Sequence, residues 1–348
     1  MSTLVVVNAR ILSSVLTGVQ RYTLELLSRF DDRVRTFAPK ARLDGVRGHL
    51  WEQIVLPRRL KGELLFSPGN TGPLAVRRQV ITVHDVVPLD HPEWLNPQFA
   101  AWYRFLVPSL VRRVRRVIAI SEFTRKRLLE RTGVEPEKIV VIPNGVDARF
   151  HPRSEEDVRR VRDALGIPTA HYVLSLGSLE PRKNLHRLLQ AWGLIQAEVP
   201  EDVWLIVAGA KGKPLVFRDV SFDRLPPRVY LTGHVPDEHL PALYSGALAF
   251  VYVSVYEGFG LPPLEAMASG TPTLTSNQTA LPEVVGDAGL MVDPYEVEAI
   301  AWEIKRLVED SVLRAGLRKK GLERAKQFSW DKTAELTWKV LQEAAQEG

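Results

Sequence analysis

Two carboxylates and two glycines with the spacing of a ligand-binding turn lie in residues 257–270, EGFGLPPLEAMASG. Gly258 and Gly260 allow the backbone to take positive φ values and to approach a ligand closely. The segment follows an apolar run and opens a helical pattern, and the N-terminus of a helix offers N–H groups and the positive end of the helix dipole. We therefore expect this turn to stabilise a phosphate group.

Glu257 and Glu265 stand on either side of this expected anion site. A carboxylate next to a phosphate is electrostatically unfavourable unless it accepts hydrogen bonds from hydroxyl groups. A sugar nucleotide supplies such hydroxyls on both its ribose and its hexose. A Gly-x-Gly turn alone would favour a simple strand-to-helix connection with solvated carboxylates, but the complete segment favours a sugar-nucleotide site.

Two cations lie together in a second segment, SLGSLEPRKNL at residues 175–185. Alone, Lys183 would be a solvated residue at the start of a helix. Its position after a predicted strand and a glycine turn favours contact with phosphate, together with Arg182. In the first half of the chain, His84 follows the apolar residues 80–83. A single histidine at a strand end is more often structural, so both interpretations of His84 stay open.

The elements that must position these residues alternate between short β-branched runs and amphipathic segments. Such apolar runs are typical of parallel strands covered on both faces, and the alternation indicates βαβ units. Since the pattern restarts at residue 172, two doubly wound α/β domains are expected. Strands are predicted at residues 4–7, 80–83, 117–120, 139–142, 172–176, 203–208, 229–231 and 248–251. Helices are predicted at residues 19–30, 97–113, 122–131, 184–197, 237–245 and 261–269.

Turn residues predict where one domain ends and the next begins. Prolines and an Asn-Gly pair are concentrated in residues 143–168. We expect an N-terminal, acceptor-side domain at residues 1–165 and a C-terminal, nucleotide-sugar-binding domain at residues 166–328. Residues 329–348 carry the pattern of one more amphipathic helix.

Composition limits the class of protein. The 348 residues are 45% hydrophobic and 25% charged, which excludes a disordered, collagen-like or coiled-coil chain. The absence of cysteine excludes disulfides, thiolate catalysis and cysteine-based zinc sites. No apolar run approaches the roughly 20 residues of a spanning helix, and the first ten residues lack the pattern of a signal peptide. We expect a cytoplasmic protein, at most peripheral at the inner face of the membrane.

Basic charge is concentrated in the first half of the chain. Residues 1–150 carry 24 Lys and Arg against 14 Asp and Glu, so this half suits an anionic partner. The run from Arg112 to Arg116 ends a predicted helix rich in aromatic residues. It is interpreted either as a solvated helix C-terminus or as a contact for anionic lipid or a lipid-diphosphate acceptor. No DNA- or RNA-binding motif accompanies the charge, so nucleic acid is not an expected partner.

The segment at residues 257–270 resembles the E-x7-E motif of family 4, the retaining glycosyltransferases of the GT-B fold. Residues 175–185 resemble the donor-phosphate segment of that family, and IPNGVD at 142–147 resembles the end of its first domain. LTGVQRY at 16–22, VHD at 83–85 and ISEF at 120–123 also match, in the order of the family. The resemblance covers nearly the whole chain and is greatest to bacterial mannosyl- and rhamnosyltransferases of surface-polysaccharide assembly, lipopolysaccharide included.

This resemblance implies an α/β protein of the GT-B fold. Two Rossmann-like doubly wound domains would face each other across a cleft, and the final helix would cross back to the first domain. The implied reaction transfers a hexose from a nucleotide-diphosphate sugar to an acceptor hydroxyl, lipid-linked or on a polysaccharide, with retention of configuration. GDP-mannose is the favoured donor, with dTDP-rhamnose and UDP-glucose as alternatives.

The resemblance also implies which residues are catalytic. Arg182 and Lys183 would bind the diphosphate and stabilise the leaving nucleotide as charge develops on it. Glu257 and His84 would contact the donor hexose, the latter from the first domain. Many family members have arginine directly after the glycine of the phosphate segment, where this chain has Ser178. Arg182 is therefore expected to supply the second cation.

Further positions are implied to bind the donor without a role in catalysis. Glu265 would hold the ribose hydroxyls, and Gly18 would let a loop of the first domain approach the diphosphate. Backbone amides near Glu257 would complete the site. These amides belong to Gly258, Phe259, Gly260 and Leu261.

No metal site is evident in the sequence. There is no Asp-x-Asp after a strand and no His-x-x-x-His pattern on a helix. The family implies a reaction without metal or other cofactor, in which Arg and Lys take the place of a cation. Two other functions remain alternatives. One is a sugar-nucleotide epimerase on the same fold, and the other is a non-catalytic protein that binds a polyanion through its basic first half.

Overall fold

The computed structural model describes residues 5–13, 17–43, 45–177, 180–209 and 225–347. They form two compact units, one comprising Met1–Gly145 with Ser329–Gly348 and the other Val146–Phe328. Each unit is built on its own parallel sheet.

The sheet of the first unit has six strands. They are β1 (Val5–Asn8), β2 (Val34–Phe37), β3 (Leu64–Ser67), β4 (Gln79–Val83), β5 (Arg116–Ala119) and β6 (Ile139–Val141). All pair in parallel, in the order β2-β1-β3-β4-β5-β6. Because β1, β3 and β4 are buried along their whole length, the sheet is covered on both faces. The carboxyl ends of the central strands meet at one edge, where open α/β sheets bind ligands.

Helices cover both faces of this sheet. They are α1 (Gly18–Phe30), α2 (Gly45–Leu50), α3 (Leu56–Arg59), α4 (Val87–Asp90), α5 (Pro97–Arg113) and α6 (Glu122–Thr132). A π-helical turn, Trp51–Val55, joins α2 to α3, so residues 45–59 are one continuous helical segment. Local signals set the ends of α6, since Ser121 accepts the hydrogen bond of the Thr124 amide and Gly133 ends the helix in the left-handed conformation.

The second unit repeats this architecture. Its strands are β7 (His171–Leu176), β8 (Val203–Ala208), β9 (Val229–Gly233), β10 (Ala249–Tyr252), β11 (Thr273–Ser276) and β12 (Leu290–Val292). The order is β12-β11-β10-β7-β8-β9, again all parallel. The helices are α7 (Glu155–Ala164), α8 (Leu185–Ile195), α9 (Leu240–Ser245), α10 (Leu261–Ala268), α11 (Leu281–Val285), α12 (Val297–Glu309) and α13 (Ser311–Ala325).

The core of the second unit explains how α8 is held next to the site. Trp192, Leu188 and Ile195 lie on one face of α8 and are buried with Ile300 and Ile304 of α12. Burying an aliphatic or aromatic side chain of this size contributes about 1.5–3 kcal/mol. This packing fixes the orientation of α8, and it therefore also fixes the position of the turn that precedes the helix.

The remaining helix, α14 (Trp330–Gln346), belongs to the first unit. The Thr333 hydroxyl donates to the Pro143 carbonyl at 2.7 Å, and Arg29 of α1 pairs with Asp331 at 2.6 Å. The predicted domain boundary at 165/166 is wrong, because the chain enters the second unit at Val146. Helix α7 packs against α9, and the Leu165 carbonyl accepts from the Tyr230 hydroxyl at 3.1 Å.

The basic run from Arg112 to Arg116 is divided between two roles, which corrects its interpretation as one surface. Arg112 and Arg113 are exposed at the end of α5. By contrast, Arg115 donates to the Ala344 carbonyl at 2.6 Å, and Arg116 pairs with Glu347. These two arginines satisfy the C-terminal end of α14, where cations are favoured. Within the described ranges, none of the helices combines the length and the apolar character that crossing a bilayer requires.

Candidate active site

Two loops meet at the carboxyl edge of the second sheet, because β7 and β10 are neighbours there. One loop follows β7 and ends in a single 3-10 turn, Pro181–Lys183, before α8; the other follows β10. The carbonyl of Arg182 accepts from the Val255 amide at 2.9 Å and from the Ser254 hydroxyl at 2.7 Å. These hydrogen bonds tie the two predicted segments into one site.

Three of the predicted residues are in direct contact. Arg182 Nη1 lies 2.9 Å from Glu257 Oε2, and Lys183 Nζ lies 2.7 Å from Glu257 Oε1. Arg182 Nε also lies 2.8 Å from Oε2 of Glu180. We call Glu180, Arg182, Lys183 and Glu257 the charged cluster. It contains two cations and two carboxylates, so its formal charge is zero.

The charged cluster is buried, which makes its interactions strong. The exposed fractions of the Lys183 and Glu257 side chains are 13% and 9%. Burial would raise the pKa of Glu257, but the charges of Arg182 and Lys183 outweigh it and lower the pKa to about 2. Burial, aided by Arg182, lowers the pKa of Lys183, and Glu257 opposes that shift. Glu257 is thus deprotonated and negatively charged at neutral pH.

Side chains that the sequence analysis did not single out hold the cluster in place. Tyr252 and Ser254 donate to Oε1 of Glu257 at 2.9 and 2.6 Å, and the Glu257 amide donates to Thr279. Asn184 takes a left-handed conformation, φ 57°, and donates to the carbonyls of Val253 and Pro294. Their signal in the sequence is position: Tyr252 ends a strand five residues before Glu257, and Asn184 follows Lys183 directly.

The glycine turn has the predicted conformation at one of its two glycines. Gly260 has φ 123°, and a Cβ there would lie 2.7 Å from a Leu281 methyl carbon. The helix that follows begins Leu261-Pro262-Pro263. Because proline has no amide hydrogen, the first turn of α10 offers fewer N–H groups than a helix N-terminus without proline. An anion at this turn would depend on the amides of residues 258–261.

Phe259 and Glu265 have separate surroundings. The ring of Phe259 is buried and meets that of Phe328 edge-on at 5.9 Å, so only its backbone suits ligand contact. Glu265 is 5% exposed in the second turn of α10 and accepts from the Tyr244 hydroxyl at 3.2 Å. A buried carboxylate in this position can accept hydrogen bonds from a diol.

In the first unit, His84 lies just after β4 at the carboxyl edge of its sheet. Nε2 lies 2.7 Å from the Pro68 carbonyl oxygen, and burial lowers the pKa of the imidazole to about 4 despite that hydrogen bond. The ring is therefore neutral at neutral pH, with its proton on Nε2. Nδ1 forms no hydrogen bond with any residue in the described ranges. It can accept a hydroxyl hydrogen.

The two other predicted positions are placed as follows. Gly18 is the exposed first residue of α1, after the N-cap Thr17. Ser178 lies outside the described residues, so its place relative to the cations is not described. Among the residues that are described, no group of three His, Asp or Glu side chains is arranged to hold a metal ion.

Comparison with known proteins assigns the family. Residues 157–324 match the family described as Glycosyl transferases group 1, and residues 64–150 match Glycosyltransferase Family 4. The O-antigen chain mannosyltransferase B of Escherichia coli is 34% identical over 276 residues, which cover 79% of this chain and 72% of the relative. The chain belongs to glycosyltransferase family 4.

This family 4 glycosyltransferase is also similar to a longer protein and to a solved structure of about the same length. The serotype-specific mannosyltransferase WbdA of Escherichia coli is 31% identical over 74% of the chain, but the match spans only 32% of that protein. HepE from Anabaena, solved in complex with UDP and glucose, has a TM-score of 0.76 at 20% identity, covering 98% of this chain and 99% of HepE. The predicted GT-B class, with two Rossmann-like α/β units, is confirmed.

Proposed function

We propose that this glycosyltransferase transfers mannose from GDP-mannose to a hydroxyl of a surface polysaccharide, lipid-linked or growing, with retention and without a metal ion. The observation that carries the proposal is the charged cluster beside the glycine turn, at the carboxyl edge of the second sheet. The names of its relatives support the sugar, because both Escherichia coli proteins are mannosyltransferases of O-antigen or serotype.

The diphosphate would displace Glu257 from the two cations. In the structure, both oxygens of Glu257 are engaged by Arg182 and Lys183. A diphosphate offers a greater density of charge to the same donors, with bidentate geometry for the guanidinium. Once displaced, the Glu257 oxygens can accept hydrogen bonds from hexose hydroxyls. Donor binding would thus free the Glu257 carboxylate to contact the hexose.

Bond making and breaking need no side-chain nucleophile in this scheme. The bond between C1 of the hexose and the phosphate oxygen breaks, and the bond from C1 to the acceptor oxygen forms on the same face. The acceptor proton passes to the leaving diphosphate. Arg182 and Lys183 stabilise the charge that develops there, and His84 accepts a hexose hydroxyl hydrogen at Nδ1.

Glu265 is proposed to bind both ribose hydroxyls. We expect Glu265→Gln to weaken GDP binding roughly 10- to 100-fold, the effect of losing hydrogen bonds to a charged acceptor. Calorimetry with GDP and with 2′,3′-dideoxy-GDP measures this directly. The wild type should discriminate between the two ligands and the variant should not. Glu303→Gln, which alters a carboxylate paired with Arg306 on α12, should leave the discrimination intact. If Glu265→Gln and Glu303→Gln discriminate equally between GDP and 2′,3′-dideoxy-GDP, Glu265 does not bind the ribose hydroxyls.

Transfer is expected to continue after chelation of divalent ions. In the proposed mechanism the two cations of the charged cluster provide the charge that Mg²⁺ or Mn²⁺ provides in other transferases. Initial rates with and without excess EDTA should therefore agree. Loss of activity that a single divalent ion restores would contradict the metal-free mechanism.

Association with a membrane is proposed for acceptor delivery at the inner face of the cytoplasmic membrane. Arg112 and Arg113 are exposed, and Phe105 on the same helix is 59% exposed. Basic side chains and an exposed aromatic residue on one helix suit an anionic lipid surface.

The proposal is tested by the product. GDP-mannose and a mannose-terminated acceptor should yield a longer glycan, and its one-bond C1–H1 coupling in NMR reports the configuration of the new linkage. An α-linkage is expected from the α-configured donor. An epimerised nucleotide sugar formed without acceptor would favour the epimerase instead. Binding of a polyanion without turnover of any nucleotide sugar would favour a non-catalytic protein.

A further inference from the structure

A second polar cluster lies in the first unit, at residues that the proposed function does not use. Glu52, on the π-helical turn, is 1% exposed. Its Oε1 accepts from Asn8 at 2.7 Å, from Thr71 at 3.1 Å and from Arg10 at 3.1 Å. Asn8 ends β1, so the cluster lies at the carboxyl edge of the first sheet. Burial would raise the pKa of Glu52, but Arg10, together with His49 and Asn8, outweighs it and lowers the pKa to about 2.

Several polar atoms in this cluster have no hydrogen-bond partner among the described residues. Oε2 of Glu52, Nδ1 of His49 and Nε1 of Trp102 are all buried and unpaired. Glu52 Oε2 and His49 Nδ1 lie 3.8 Å apart, too far for a direct hydrogen bond. The His49 ring contacts both Trp102 and Tyr103 edge-on, at centroid distances of 5.6 and 5.8 Å. The side chains that carry the unpaired atoms are therefore neighbours.

The unpaired atoms define the chemistry of a ligand. Glu52 Oε2 accepts, Trp102 Nε1 donates, and His49 Nδ1 does either according to its tautomer. A hydroxyl oxygen about 2.7 Å from both Glu52 Oε2 and His49 Nδ1 could bridge them. Since Arg10 already neutralises Glu52, the cluster favours a neutral ligand over an anion or a cation. A neutral ligand with several hydroxyls next to an indole and a phenol ring is a saccharide.

We infer that Glu52, His49 and Trp102 bind hydroxyls of the acceptor saccharide. This rests on the proposed function, because it assigns the acceptor to a site in the first unit. The irregular helix agrees with the assignment. A π-turn is rare and is found frequently at functional sites, and here it carries Glu52 one turn from His49. Burying three polar atoms without a hydrogen-bond partner destabilises a protein, and a ligand that pairs with them removes that cost.

Two pairs of variants test the site in the whole 348-residue chain. Trp102→Phe removes the N–H donor and keeps a ring, and Trp338→Phe on α14 makes the same change at another half-buried tryptophan. His49→Phe removes the ring nitrogens, whereas His49→Asn keeps a polar atom near the position of Nδ1. Binding of methyl α-mannoside and of an α-mannobiose is measured by saturation-transfer NMR without donor. Hydrolysis of GDP-mannose without acceptor is measured in parallel.

We expect Trp102→Phe and His49→Phe to weaken saccharide binding and to raise the acceptor KM roughly three- to tenfold each. Trp338→Phe and His49→Asn should stay near the wild type, and all four should hydrolyse GDP-mannose at the wild-type rate. Unchanged saccharide binding in all four overturns the inference and indicates that buried water satisfies these atoms. A wild type that hydrolyses donor but binds neither saccharide overturns it too. A wild type that does not bind GDP-mannose contradicts the proposed function instead.

Discussion

Replacing Lys183 with methionine is expected to lower kcat/KM for the sugar nucleotide by roughly 10²–10³-fold, the effect of removing one preorganised charge-stabilising donor. Methionine keeps the length and apolar stem of lysine and deletes the ammonium. Both donor affinity and kcat should fall. Lys183 would contact the diphosphate in the bound donor, and it would also stabilise the additional charge that develops on the diphosphate during the reaction. Steady-state kinetics over a range of donor concentrations separates the two contributions.

The matched control is Lys305→Met. Lys305 belongs to the same unit and forms one salt bridge, with Glu198 at 2.6 Å, but on an exposed surface. Pairs of that kind contribute at most about 1 kcal/mol, so the control should keep wild-type kinetics. Equal effects of the two substitutions, or wild-type kinetics for Lys183→Met, would mean that the cluster is a structural ion-pair network.

Glu257→Gln should separate nucleotide binding from transfer. The carboxylate competes with the diphosphate for Arg182 and Lys183, so its loss should leave GDP affinity unchanged or increase it. Transfer should fall at least roughly 100-fold, because the hexose loses its charged acceptor. Calorimetry with GDP and initial rates with GDP-mannose give the two readings. Parallel losses of GDP affinity and rate would show that Glu257 serves only to hold the cations.

The unfolding free energy of Glu257→Gln should also depend on pH less steeply than that of the wild type. The folded-state pKa of Glu257 is lowered to about 2 from an ordinary value of 4.5. A lowered carboxyl pKa contributes stability above the unfolded-state value, and that contribution disappears as pH falls towards the folded-state value. Wild-type unfolding free energy should therefore decline between about pH 4.5 and 2 more steeply than that of Glu257→Gln. Denaturant titrations across this range provide the comparison.

The convergence of residues 175–185 and 257–270 could be predicted from the sequence, because each segment follows an apolar run and the carboxyl ends of parallel strands share an edge. Eight of the twelve strands in the described part of the chain were predicted within a residue or two. Four others were not predicted. β2, VRTF, is an edge strand with half of its residues exposed, and β11, TLTS, is buried through hydroxyl-bearing side chains. Neither shows the apolar run that marks a covered parallel strand.

What could not be predicted depends on contacts distant in the chain. The sequence predicts Glu257 as a sugar ligand but gives no indication that it neutralises Arg182 and Lys183 across 75 and 74 residues. It places prolines at 143–168 but does not show which unit α7 joins, since that depends on packing against α9. Nothing in the sequence marks Glu52 as buried, and its partner Arg10 is 42 residues away.

The most direct test of the account is the affinity of the wild type and of Lys183→Met for GDP and for GMP, measured by calorimetry. The cluster is proposed to recognise the second phosphate as well as the first. We predict that the wild type binds GDP at least roughly tenfold more tightly than GMP, the effect of one charged hydrogen bond, and that Lys183→Met binds the two alike. Equal affinity of the wild type for GDP and GMP would contradict the assignment of the charged cluster as the diphosphate site.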